Sequence, residues 1–251
     1  MKFSIRLKFI SQQHDPVKLN IDYHAAFLYL LKSGLSHVDA DIFNQLYKKN
    51  TPKLYTLSVY FPQAKFSRST VILGEQNNAY WQFSTENFRL GLSFYNAFVY
   101  LFQRGPWAYD KNYQVVFSSP KQLKEPVITT NTIRAKTASP LVVRQDNHLF
   151  LSGTQAANLT VFNTVLQGNM LSRFKAYYPE TICKMIKDLK FVPINTRKTV
   201  VRSFGIFIEV TVGEFILYGD PVLLNLIVRN GLGIRTGNFS GFLEYLGGEN
   251  Q

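Results

Sequence analysis

Cysteine is nearly absent from this chain: Cys183 is the only one in 251 residues. It has no partner for an intramolecular disulfide and no Cys or His neighbour at metal-ligand spacing, so it is expected as a small apolar side chain buried on a helix. Acidic residues are also scarce, with 16 Asp and Glu against 28 Lys and Arg. The one close acidic pair, Asp39 and Asp41, lies where a short helix begins, so capping accounts for it and a two-metal nuclease centre is disfavoured. There is no His-Glu-x-x-His, no Gly-x-Ser-x-Gly elbow and no Walker Gly-Lys-Ser/Thr. No uninterrupted apolar run approaches the roughly 18 residues of a membrane span. Lys2 and Arg6 interrupt the first residues, which cannot form the apolar core of a signal peptide. A soluble, cytoplasmic protein is expected, with neither cofactor nor metal. Chemistry on a polyanion would then fall to His, Tyr, Lys and Arg as proton movers and charge stabilisers.

What is present is a large apolar stock and an excess of positive charge. Hydrophobic residues make up 46% and aromatics 15%, enough for one or two cores, while charged residues at 18% are too few for a disordered chain. The formal net charge is +12. That favours a polyanionic partner, nucleic acid first and an anionic membrane surface second. No basic amphipathic helix supports the membrane alternative.

Hydrophobic periodicity predicts two rounds of alternating strands and helices. In the first round Phe3, Ile5, Leu7 and Phe9 alternate with polar residues as a half-buried strand. A loop through His14 follows, then helices over 23–35, ended by Gly34, and over 38–49, stopped at Asn50. Strands are expected at 54–61, 71–73, 79–83 and 113–118, with a helix at 87–103. The second round predicts strands at 127–136 and 141–143 with a turn at 145–147, one long helix over 154–178, and long strands at 191–201 and 205–217. A last helix over 222–229 is opened by Asp220 as N-cap and Pro221 at the first helical position. A strand at 239–246 closes the chain. The fold class is α+β: two tandem βαββαβ units with antiparallel sheets and helices on one face, divided as 1–122 and 123–251.

Between the last helix and the last strand, four glycines fall in eleven residues: Gly231, Gly233, Gly237 and Gly241, with Arg235 and Thr236 among them. The order helix, loop, strand is the reverse of a dinucleotide-binding loop, whose phosphates sit on the N-terminus of the following helix. A flexible, amide-rich, basic loop suited to a larger polyanion remains, alongside a plain tight turn. Arg197, Lys198 and Arg202 form a second basic group, with Lys198, Val200 and Arg202 on one strand face. That face either tracks phosphates or is merely solvated. Proton-moving groups concentrate at 23–53: His24, Tyr29, Lys32, His37, Tyr47 and Lys53. His37 is expected in a loop at a helix end, open to solvent, and His24 on a helix surface. Both could equally be plain surface histidines. His14 and His148 receive no role.

The segment Gly231-Leu-Gly-Ile-Arg-Thr-Gly-Asn-Phe-Ser-Gly-Phe-Leu-Glu resembles the C-terminal glycine-rich signature of the CRISPR repeat-processing endoribonucleases of the RAMP superfamily. Ser139-Pro-Leu-Val-Val-Arg144, Gly213-Glu-Phe-Ile-Leu-Tyr-Gly-Asp-Pro221, Ile21-Asp-Tyr23 and Lys53-Leu-Tyr-Thr-Leu-Ser58 are similar to further landmarks of that family, in the same order. The resemblance implies two ferredoxin-like, RRM-like domains, the first carrying the catalytic candidates. It implies metal-independent cleavage of repeat RNA in precursor CRISPR RNA, in which a 2′-hydroxyl attacks the scissile phosphate and leaves 2′,3′-cyclic phosphate and 5′-hydroxyl ends. His37, Lys53, Tyr29, Tyr47 and His24 are the catalytic candidates it implies. Tyr47 stands where such enzymes often carry their histidine. Gly231, Gly233, Arg235, Thr236, Gly237, Gly241, Arg197, Lys198, Arg202 and Arg144 are the RNA-binding candidates, the glycine amides serving as a backbone grip. The alternative is an inactive or weak RNA-binding subunit retaining CRISPR RNA in an effector complex. Other effector subunits and a second copy of the chain are further partners the resemblance admits.

Overall fold

The computed structural model describes residues 1–11, 16–48, 51–146 and 149–248. His14, Asn50 and His148 lie outside them. The N-terminal half runs β1 (Lys2–Ser11), β2 (Lys18–Asn20), α1 (His24–Val38), α2 (Ala40–Tyr47), β3 (Thr56–Tyr60), β4 (Lys65–Phe66), β5 (Thr70–Ile72), β6 (Asn78–Ser84), α3 (Phe88–Arg104), β7 (Trp107–Ala108), β8 (Tyr113–Phe117) and β9 (Lys121–Gln122). The C-terminal half runs β10 (Thr132–Thr137), β11 (Val143–Arg144), β12 (Phe150–Leu151), α4 (Leu159–Phe174), α5 (Glu180–Met185), β13 (Lys190–Ser203), β14 (Ile206–Tyr218), α6 (Pro221–Asn230) and β15 (Leu243–Gly248).

The first sheet has the order β3-β6-β1-β8-β7, with β9 also on β1, and the second has β13-β14-β10-β15, all neighbours antiparallel. If the four main strands of each half are numbered along the chain, both sheets have the order 2-3-1-4. Each half is therefore a ferredoxin-like βαββαβ unit. The alternation along β1 puts Phe3, Ile5, Leu7 and Phe9 under α1 and α3, where they meet Phe27, Leu31, Phe94 and Phe98 in an aromatic-rich core. The second core joins Phe162, Leu166, Met170 and Phe174 of α4 to Phe191, Phe215, Leu217 and the buried face of α6.

Several expectations are corrected. α1 does not stop at Gly34 but continues to Val38. The missing side chain there admits α3, since a Cβ would lie 3.0 Å from the Ala97 carbonyl oxygen. Helix packing overrides the breaker signal. The long helix expected over 154–178 is shorter: Asn158 caps α4 by accepting from the Val161 N–H at 3.2 Å, and Pro179 precedes a separate α5. Cys183 lies on α5, half-buried rather than buried. The last strand begins at Leu243, because Phe239 turns back into the N-terminal core. The capping expectations hold: Asp39 accepts from the Ile42 N–H at 3.0 Å and Asp220 from the Val222 N–H at 2.8 Å.

The halves are stitched by polar contacts across the chain. Thr56 Oγ1 donates to the Ser240 carbonyl at 2.9 Å, and Tyr177 donates to the Pro52 carbonyl at 2.7 Å. The Asp22 carboxylate accepts from the N–H groups of Phe204 and Gly205 at the tip of the β13–β14 hairpin. Among the described residues no helix is long and apolar enough to cross a membrane.

Candidate functional site

α1, α2 and the segment before β3 bring Lys32, Tyr47 and Lys53 together. The Lys32 ammonium lies 4.7 Å from the Tyr47 ring centroid and the Lys53 ammonium 5.7 Å from it. Lys53 also donates to the Leu46 carbonyl in the last turn of α2 and to the Thr51 carbonyl at 2.7 Å, so its charge meets the negative end of that helix. The hydroxyls of Tyr47 and Tyr55 share a 2.8 Å hydrogen bond. Burial pushes both phenols up, which keeps them protonated. Partial burial, then the neighbouring Lys32 charge, lowers the Lys53 ammonium. The cluster combines two ammonium groups with phenol donors.

The glycine loop completes this junction from the far end of the chain. Thr236 Oγ1 donates to the Lys53 carbonyl at 3.4 Å, from 183 positions away. A Cβ on Gly237 would lie 2.8 Å from Lys53 Cγ and 2.9 Å from the Tyr55 hydroxyl. The close approach that the glycines permit is thus made by the protein's own side chains.

That geometry corrects the expected backbone grip. Gly231, Gly233 and Gly241 are buried. Their amides donate respectively to the Ile227 carbonyl at 2.7 Å, to Met170 Sδ at 3.2 Å and to the Pro140 carbonyl at 2.9 Å. Arg173, fully buried in α4, donates to the carbonyls of Gly233 and Gly231 and locks the loop from beneath. Its surroundings lower its pKa to about 9, through burial. These amides are spent on folding and are not offered to a ligand. Arg173 carries no sequence signal: it sits in the last turn of α4, where an exposed cation facing the helix C-terminus would be equally ordinary.

The basic groups fare differently. The Arg235 guanidinium lies 5.9 Å from the Phe150 ring, half-buried and depressed first by burial and then by Arg144. Two like charges so placed favour an anion between them. Arg144 is exposed, its backbone held by Asn169 through two 2.8 Å bonds. On β13, Lys198, Val200 and Arg202 share an exposed face as expected, and Arg197 is exposed as well. Lys198, however, is paired with Glu209 at 3.1 Å, whereas Arg202 lies 5.8 Å from the Phe207 ring.

His37 is open to solvent at a helix end as expected, though inside the helix, whereas His24 is not on the helix surface. His37 is in the last turn of α1, exposed and stacked on Tyr100 with centroids 4.1 Å apart. At 100° per residue, the five positions from Lys32 turn it about 140° to the other flank of the helix. His37 meets α3, while Lys32 meets Tyr47. Tyr29 is 71% exposed and stands three positions before Lys32, on the cluster's side of α1. His24 is buried instead of lying on the helix surface, with its ring 4.1 Å from that of Tyr23 and 5.4 Å from that of Phe239. Burial lowers its pKa to about 4, and its Nδ1 has no hydrogen-bond partner. Among the described residues no group of three or more His, Cys, Asp or Glu could hold a metal ion.

Residues 123–245 match the family described as CRISPR associated protein Cas6, C-terminal. Over the whole chain the fold is similar to a Cas6-related protein of Pyrococcus furiosus, with a TM-score of 0.78 at 18% identity and full coverage of both chains. A RAMP protein described as binding different RNA substrates aligns with a TM-score of 0.75 at 16% identity, over 98% of this chain and 100% of its own. A Cas6 product complex aligns at 0.64 and 14% identity, over 98% and 100%. At these identities the likeness is one of fold. No curated protein matches the chain significantly. Residues 123–245 thus match a Cas6 C-terminal domain, within a chain whose whole fold is similar to those of Cas6 and RAMP proteins.

Proposed function

We propose that the chain binds CRISPR repeat RNA and processes precursor CRISPR RNA by metal-independent cleavage. The observation that supports this best is the junction where Lys32, Tyr47 and Lys53 meet the glycine loop of the Cas6 C-terminal domain. In the proposed step the ribose 2′-oxygen gives its proton to solvent water and bonds to the adjacent phosphorus. The bond from phosphorus to the 5′-oxygen breaks, and that oxygen takes up a proton. The products are a 2′,3′-cyclic phosphate and a 5′-hydroxyl. In this scheme Lys53, with its lowered pKa, stabilises the charge on the phosphoryl oxygens and protonates the leaving oxygen. Tyr47 is a hydrogen-bond donor in this scheme, because its raised pKa bars it from acting as a base. Arg235, Arg144, Arg202 and Arg197 supply phosphate contacts along the RNA.

A second reading, an RNA-binding subunit that retains CRISPR RNA without cutting it, is favoured by one observation. Tyr47 occupies the cluster, and His37 faces Tyr100 on the opposite flank of α1. Other effector subunits, or a second copy of the chain, would then be partners.

Incubation of the protein with the repeat RNA encoded beside its gene, in EDTA and under single-turnover conditions, separates the two. A single cut with a cyclic phosphate end, slowed about a hundredfold or more by Lys53→Ala, is the expected result. Tight binding without a cut would establish the second reading, and a cut that needs magnesium would overturn the metal-independent scheme. His37→Ala is expected to slow cleavage less than Lys53→Ala, and the reverse order would return the acid–base role to His37.

A further inference from the structure

The face of the first sheet that turns away from α1 and α3 carries side chains that the junction does not use. Strand registers place Tyr60 of β3 opposite Tyr80 of β6, and Tyr80 opposite Arg6 of β1. The three therefore form one row across the sheet, on the face opposite Phe83, Trp81 and Ile5. The two phenol rings are stacked with centroids 6.5 Å apart and planes inclined by 29°. Tyr60 is 62% exposed and Arg6 is also exposed. The next row holds Ser58, Gln82 and Ser4, with the Ser58 hydroxyl donating to Gln82 Oε1 at 3.2 Å.

At the end of the tyrosine row, where β3 leaves the sheet and β6 enters it, there is a cavity of about 110 Å³. Gln63, Gln76 and Asn78 line it together with Pro62 and Gly74, so its polar side chains are carboxamides. Lys8 donates to the Gln76 carbonyl at 2.6 Å at its edge. Asn78 Nδ2 donates to Gln76 Oε1 at 3.0 Å, while the buried Asn78 Oδ1 has no hydrogen-bond partner. Exposed aromatic faces, a cation in the same row and carboxamides beside a cavity match the chemistry of an unpaired nucleotide. A base has a π-face to stack, a phosphate to neutralise and an edge of donors and acceptors to satisfy.

We infer that this sheet face is a second RNA-binding surface, for an unpaired stretch: one base stacks on the Tyr60–Tyr80 pair, Arg6 meets its phosphate, and the edge of a neighbouring base enters the carboxamide cavity. This rests on the proposal that the chain binds RNA, and it assigns the sheet face to the part of the RNA outside the Lys53 junction.

The test uses full-length protein, the repeat RNA, and unpaired ten-nucleotide uridylate and adenylate oligomers with their DNA counterparts. Tyr60→Ala/Tyr80→Ala is expected to weaken binding of the unpaired RNA about tenfold or more, with the salt dependence of binding unchanged, because stacking releases no counterions. Tyr60→Phe/Tyr80→Phe should restore affinity, which a merely unfolded variant would not. Arg6→Gln should instead reduce the salt slope by about one. Asn78→Ala should narrow the difference in affinity between uridylate and adenylate. Unchanged affinity of the alanine double variant for every RNA would overturn the surface, and so would failure of the wild-type protein to bind the unpaired oligomers. Equal binding of RNA and DNA would overturn its assignment to RNA. Tyrosine-dependent binding of the oligomers by a protein that ignores repeat RNA would keep the surface and sink the repeat-RNA function.

Discussion

The glycine loop and the open face of the first sheet use their polar groups in opposite ways. In the loop, the amides of Gly231, Gly233 and Gly241 and the carbonyls of Gly231 and Gly233 are all consumed inside the protein. On the sheet, backbone groups are consumed by strand pairing, and side chains such as Tyr60 and Arg6 are left outside. A run of glycines announces that something comes close to the backbone, and here that something is the rest of the chain: Thr56, Lys53, Tyr55 and Val142. A ligand surface needs the converse, a backbone already satisfied and side chains free to act.

The largest effect expected from breaking this contrast is in the loop. Gly241 has φ +68°, and a Cβ there would overlap the Leu232 carbonyl. Gly241→Ala should cost roughly 3–5 kcal/mol and lower the melting temperature by about 10 °C. A variant that melts like wild type would show the loop to be softer than its contacts imply. Arg173→Met comes next. It leaves two buried carbonyls unpaired, and a loss of roughly 2–4 kcal/mol is expected in denaturant titration.

His24 provides a pH test of the same interface. Its folded pKa of about 4 lies below the value of about 6.5 for an unfolded histidine. The unfolded chain therefore binds a proton that the folded chain refuses. Stability is fully present above about pH 6.5 and falls as pH drops toward 4, by about 3 kcal/mol in all. His24→Gln should flatten unfolding free energy against pH across that window, and an unaltered slope would mean that the ring is not held neutral. The smallest effect belongs to the sheet face, where Tyr60→Ala/Tyr80→Ala should shift stability by no more than about 1 kcal/mol in a melting experiment. A large loss would make the tyrosines part of the fold rather than a surface.

Much of the architecture was legible because it rests on local pattern. The alternation of β1, the Asp220-Pro221 start of α6 and the long β13–β14 pair follow from side-chain period and capping. Errors arose where distant packing overruled a local cue. Gly34 stays helical because α3 needs the space, and Phe239 leaves its strand for a core on the other half of the molecule. Tyr47 and Lys53 lie close in sequence, and they meet in the folded cluster too. His37 was within the same stretch, but helical phase turned it away. His24 and Arg173 could not be placed without tertiary structure, since one-dimensional pattern does not show what covers the first turn of α1 or which carbonyls lie beneath α4.

The sequence by itself determined a basic, two-unit α+β chain with its candidate proton-moving residues near one end and its glycines near the other. Only the tertiary structure decided that these ends touch, that the glycines face inward, and that the tyrosines of a sheet face outward. Hydrophobic period and capping are set by neighbours a few residues apart. The identity of whatever fills a glycine's space, or covers a histidine, is set by residues far off in sequence, as Thr236 is 183 positions from Lys53.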